Sequence, residues 1–126
     1  MRFDVVEPIL PELRIRLTHS LKKYRKVVIK HDPEYEAAGE RADAETTFID
    51  GEGAIIVYMT PNIDHTAAQD AALLAHEAVH AALFYFAMIG EEEPGEEEIA
   101  YMVENITQYL VSEHFRWKKR KIEKEQ

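Results

Sequence analysis

Leu10, Leu13, Leu17, Leu21 and Tyr24 recur at steps of three and four, which predicts an amphipathic helix from Pro11 to about Lys23 with a basic outer face. Pro11 suits the first turn of such a helix. Lys26–Lys30 (KVVIK) is a short β-branched run that predicts a buried strand, closed by the turn residues His31-Asp32-Pro33. Glu34 to Ala44 has no period and reads as a surface loop or a short helical turn. The clearest β signal follows: Thr46–Ile49 and Ala54–Thr60, joined across Asp50-Gly51-Glu52-Gly53 as a hairpin. Asp64 or Thr66 then caps a strongly apolar helix from about Ala67 to Met88, for which Gly90 is the natural stop. After the polar connection 90–95, a second helix runs from Glu96 to about Trp117, with Ile99, Val103, Ile106, Leu110 and Val111 on one side. The tail from about residue 118 is expected to fray, most clearly from Ile122. The expectation is one α+β domain over residues 1–126: an N-terminal helix, a small three-stranded sheet containing a hairpin, and two long C-terminal helices.

Composition narrows the classes open to such a domain. The chain has 126 residues, 46% of them hydrophobic, and a formal net charge of −9. A chain of this length buries roughly two thirds of its unfolded surface, so one core suffices without a disulfide framework. There is no cysteine. That excludes Cys-ligated zinc modules and thiol nucleophiles, and it favours a reducing, cytoplasmic setting. The acids and prolines of MRFDVVEPILPELRIRL stand where a signal peptide would have its apolar stretch. The negative balance disfavours general binding to nucleic acid or anionic membrane. Between Ala71 and Ile89 the only ionisable groups besides tyrosine are His76, Glu77 and His80. The segment approaches a membrane span in length, but it lacks flanking anchors and runs into acidic sequence at both ends, so a core helix is the expectation.

The same three residues carry the chemistry. His76-Glu77-Ala78-Val79-His80 is an H-E-x-x-H pattern. Residues four apart on a helix stand above one another, so both imidazoles reach one ion, while Glu77 leaves at an angle suited to a general base acting on water. Leaving two histidines and a glutamate unsatisfied in an apolar helix costs on the order of 1–3 kcal/mol each. A metal would satisfy them. A zinc site of this kind takes a third protein ligand and leaves the fourth position for water. The candidates are the carboxylates Glu96, Glu97 and Glu98, then His114, His65 and His31. Helical phase puts Glu97 on a stripe with Tyr101, Glu104 and Gln108 at the border of the inward face, and leans Glu98 toward Met102. Phase favours Glu97 slightly over Glu98 and leaves both open.

The segment LLAHEAVHAAL followed by E-x-x-A-Y (Glu97, Ala100, Tyr101) resembles the gluzincin branch of HExxH metallopeptidases, above all the small stand-alone zincin-like proteins often associated with phages. The resemblance spans most of residues 10–115, with only the two motifs specific. It implies a zincin-like fold and one Zn²⁺ held by His76, His80 and Glu97, with Glu77 as the base for hydrolysis of a peptide bond. Glu98 and His114 remain alternative third ligands. Tyr101 departs from the Asp or Asn usual at its place, which leaves the partner that would orient a histidine unassigned. The resemblance further implies that Ala54–Thr60, through Ile55, Ile56 and Val57, is an edge strand that pairs with a peptide substrate. Tyr58 and Tyr101 are candidates for steadying an oxyanion, with His65 and His114 behind them. The expected partner is a peptide or protein. The competing reading is a catalytically inactive zinc-binding protein that engages a host or partner protein.

Two other clusters are read more plainly. Arg116–Lys121 (RWKKRK) has the basic and aromatic composition of a nucleic-acid contact, but cations near a helix C-terminus are also favoured by the helix dipole. The second reading is preferred. Glu91–Glu98 lacks the alternating oxygen ligands and central glycine of a calcium loop. His19 is expected to be solvated, and Met59, Met88 and Met102 to fill the core.

Overall fold

The computed structural model describes residues 4–5, 14–35, 43–49 and 52–125. Its elements are β1 (Asp4–Val5), β2 (Arg14–Thr18), α1 (Leu21–His31), β3 (Ala44–Ile49), β4 (Ala54–Met59), α2 (Ala67–Met88) and α3 (Glu96–Glu125). The protein is α+β. The sheet order is β1-β2-β4-β3, with β2 parallel to β4 and the β3–β4 hairpin antiparallel. β1 adds only a two-residue antiparallel pairing to β2, so the working sheet has three mixed strands.

The N-terminal third departs from the expected order. Residues 14–18 form a strand where a helix was expected, and KVVIK lies inside α1 instead of forming a strand. Arg14-Ile15-Arg16-Leu17-Thr18 alternates, with Ile15 and Leu17 buried on one face of the sheet. The leucine spacing misleads because Leu17 and Leu21 belong to different elements. Ser20 separates them as an N-cap, its Oγ accepting from the Lys23 amide at 3.2 Å. Val27, Val28 and Ile29 accept a helical backbone because their β-branching costs only about half a kcal/mol each. Burying Tyr24 and Val28 against the sheet is worth about 1.5–3 kcal/mol apiece. The expected helix start at Pro11 and the hairpin residues Asp50 and Gly51 lie outside the described residues.

The sheet separates two apolar layers. Toward α1 it presents Ile49, Ile56 and Tyr58, which cluster with Tyr24 and Val28. Toward α2 and α3 it presents Ile15, Leu17, Ile55, Val57 and Met59, packed on Leu74, Ala78, Ala81, Ala82, Tyr85, Met102, Ile106 and Leu110. α2 is the one described helix long and apolar enough to cross a membrane. Here its apolar stripe is spent on this core.

Thr66 caps α2 in a reciprocal box: Gln69 N–H donates to Thr66 Oγ1 (3.1 Å) and Thr66 N–H to Gln69 Oε1 (2.8 Å). At the far end Gly90, at φ +79°, lets the Glu91 amide reach the Phe86 carbonyl at 2.9 Å and turns the chain into α3. α3 outruns the expected end near Trp117 and remains helical to Glu125, through the tail expected to fray.

Ala54–Met59 is not an edge strand. β4 is paired on both sides, to β2 and to β3, and Ile55, Ile56 and Val57 are buried. The strand's partner on the β2 side comes from a segment whose leucines mimic a helix, which is why the sequence makes it look unpaired. The edge beside α2 is β3.

Candidate metal centre

His76, Glu77 and His80 lie in the middle of α2, where the helix leaves the sheet on one flank and solvent on the other. His76 and His80 occupy successive turns on the outer face, both exposed, with ring centroids 5.0 Å apart. Glu77 points inward. Its side chain is 6% exposed; Oε1 accepts from Thr46 Oγ1 of β3 at 2.7 Å, and Oε2 stands 3.9 Å from His76 Nε2. The edge strand therefore fixes the carboxylate beside the imidazole pair. A cavity of about 540 Å³ opens alongside, lined by Asp43, Ala44, His65, Gln69, Ala72, Leu73, His76 and Glu77.

Of the remaining candidates, His65 lines this cavity with His76 and Glu77, and the others are spread over the fold. Glu97 is exposed in the first turn of α3. Glu98 and Tyr101 line a hollow with Tyr85, Phe86, Ile89 and Met102 at the C-terminal end of α2. Tyr58 is buried on the α1 side of the sheet, since successive side chains of a strand alternate faces. It cannot serve an oxyanion beside His76. Among the described residues no three His, Asp or Glu side chains converge closely enough to hold an ion as they stand. Two exposed imidazoles a helical turn apart are zinc donors by chemistry, so the pair fits that metal, with a third donor still to be brought to it.

His114 is excluded as that donor, because both of its ring nitrogens are committed elsewhere. Nε2 lies 2.8 Å from Asp70 Oδ2 and Nδ1 2.9 Å from His19 Nε2, all at the base of α2. Lys118 Nζ donates to the same Asp70 oxygen at 2.9 Å and to the His65 carbonyl at 2.8 Å. His65 Nδ1 stands 3.3 Å from Asp70 Oδ1. Trp117 stacks on His19 with centroids 3.8 Å apart and planes 5° apart. The expectation of a solvated His19 is thus overturned. This network was legible only in part: Met102, Ile106, Leu110 and His114 continue one i, i+4 stripe, which marks His114 as inward-facing.

Charge in the network is uneven. Burial opposes ionisation of Asp70, but the hydrogen bonds from His114 and Lys118 outweigh it and hold the carboxyl below its ordinary value. Burial, together with repulsion from His114 and against a smaller attraction to Asp70, lowers His19 from 6.5 to about 3. As pH falls through 6.5 the unfolded chain therefore takes a proton at His19 that the folded protein refuses, and stability declines. Between pH 6.5 and 5 the loss should reach about 1.5 kcal/mol. The Asp70 contribution persists to lower pH and fades only below about 4, as that carboxyl protonates. Urea titrations at pH 5.0 and 6.5 measure the difference; His19→Gln should flatten it, and an unaltered difference in that variant would contradict the assignment.

Neither family models, nor curated proteins, nor solved structures match the chain.

Proposed function

We propose that the protein is a zincin-like, zinc-dependent metallopeptidase that hydrolyses a peptide bond. The observation that carries this reading is the trio at the middle of α2: paired exposed imidazoles beside a buried carboxylate anchored by Thr46. His76 and His80 hold the metal, with Glu97 as third ligand by the resemblance of E-x-x-A-Y. Zinc, when bound, supplies a Lewis acid that polarises a carbonyl and makes water acidic near neutral pH. Glu77 accepts a proton from the attacking water and returns it to the leaving amine. β3 has no strand partner on its outer side among the described residues. Its free main-chain groups suit an extended peptide passing the cavity beside Glu77.

Metal analysis of protein purified without chelator tests the centre. One zinc per chain is expected, with His76→Ala and His80→Ala each losing more than the 10–100-fold in affinity typical of outer-sphere partners. Protein that neither carries nor takes up zinc would sink the proposal. Glu97→Ala should release zinc, whereas Glu98→Ala and His65→Ala should not. Release by either of those two instead would reassign the third ligand.

A further inference from the structure

The basic segment of α3 does not end in solvent alone. Trp117, Arg120 and Lys121 line a cleft of about 430 Å³ together with Arg16 of β2, His19, Ser20 and Lys23 of α1. The helix dipole acts on the last turn of α3, where the basic residue is Lys124. It does not account for Arg120 and Lys121, nor for Arg16 and Lys23, from the other end of the chain, facing them. Four cations from three elements converge in a molecule whose net charge is −9. Among the described residues the one carboxylate in the wall is Glu113, which is engaged by Arg116 at 2.8 Å. Lys121 stands 3.9 Å from Glu125, whereas Lys23 and Arg120 form no ion pair among the described residues. α1 has no acidic residue in its first turn. Its Ser20 cap lies in the same wall, so the positive end of the dipole adds to the field. Beside these charges the Trp117–His19 stack supplies a flat aromatic surface, backed by His114 and Asp70.

We propose that this cleft binds a phosphorylated ligand of nucleoside-monophosphate size. Lys23 and Arg120 hold the phosphate, and the planar group lies along the Trp117–His19 wall. Guanidinium and ammonium groups bind phosphate through charge-assisted hydrogen bonds, and aromatic faces accept a base without regard to sequence. The cavity is large enough for one nucleotide and not for a folded domain. The site is separate from the candidate metal centre, and it stands or falls independently of zinc.

Trp117 is the sole tryptophan, so its fluorescence reports on the cleft directly. Titration with adenosine and uridine monophosphates at low salt should give a saturable change, confirmed by calorimetry, with inorganic phosphate binding more weakly at the same place. Lys23→Ala and Arg120→Ala should each weaken binding by about tenfold or more, the worth of one charge-assisted contact. Lys119→Ala, outside the cleft, should leave it unchanged. All three positions are exposed helix surface, and thermal melts verify that the variants fold. No saturable signal up to about 10 mM nucleotide, which places any affinity below the millimolar class, would overturn the proposal. So would equal affinity in the Lys23 and Arg120 variants. Tight binding of a single-stranded oligonucleotide with none of the mononucleotide would overturn it in favour of a nucleic-acid surface.

Discussion

Glu77→Gln should keep the fold and the zinc and lower peptide hydrolysis by about 10²–10⁴-fold, the usual contribution of a general base. The substitution is nearly isosteric, and the amide oxygen still accepts the hydrogen bond that Thr46 donates at 2.7 Å. Stability should therefore change little, although Glu77 is only 5% exposed. What the amide lacks is the capacity to take a proton from water. Zinc-loaded wild type and variant, compared on quenched fluorescent casein, measure the effect, with bound metal determined in both. Full activity in the variant would remove Glu77 from the chemistry. Stoichiometric zinc with no hydrolysis by the wild type would favour the inactive zinc-binding reading, in which His76 and His80 organise a surface for a partner protein.

Asp70→Asn should destabilise the protein by about 3–5 kcal/mol at pH 7, the cost of leaving a buried charge without its partner. Asp70 is fully buried, and one of its oxygens takes hydrogen bonds from both His114 and Lys118, whose side chains are 1% and 12% exposed. An asparagine returns no charge to the Lys118 ammonium. Replacing both groups, in Asp70→Asn with Lys118→Met, should recover much of the loss, because the stranded charge is then gone. Urea denaturation of the single and double variants measures this coupling. A single-variant loss under about 1 kcal/mol would show that water or a side-chain shift compensates Lys118.

The elements that the sequence makes legible are those with one dominant period or an unambiguous turn. α2 and α3 have long apolar stripes, and the hairpin has its glycine-containing loop. β2 and α1 are not legible in this way, because Leu13, Leu17 and Leu21 keep helical spacing across a boundary set by Ser20, and because Val27–Ile29 have the composition of a strand although Tyr24 and Val28 pack as a helix on the sheet. The parallel partner of β4 is hidden by the same spacing. His76, Glu77 and His80 were readable because their relation is local to one helix. The third ligand depends on how the chain turns after Gly90, and Tyr58 depends on strand phase within the sheet. Neither is written in spacing. The His19–His114–Asp70 network joins residues from opposite ends of the chain, and no local pattern connects them.

The central place of β4 also bears on the hazard of aggregation. Ala-Ile-Ile-Val-Tyr-Met is a six-residue run without charge, proline or glycine, which is the composition that stacks into cross-β fibrils when exposed. β3, next to it in the chain, protects one side by antiparallel pairing, but β2 protects the other from far away in the chain. Detachment of β2, with its alternating arginines, would uncover a long apolar edge. The short strand Arg14–Thr18 is thus a guard against aggregation as well as a member of the sheet.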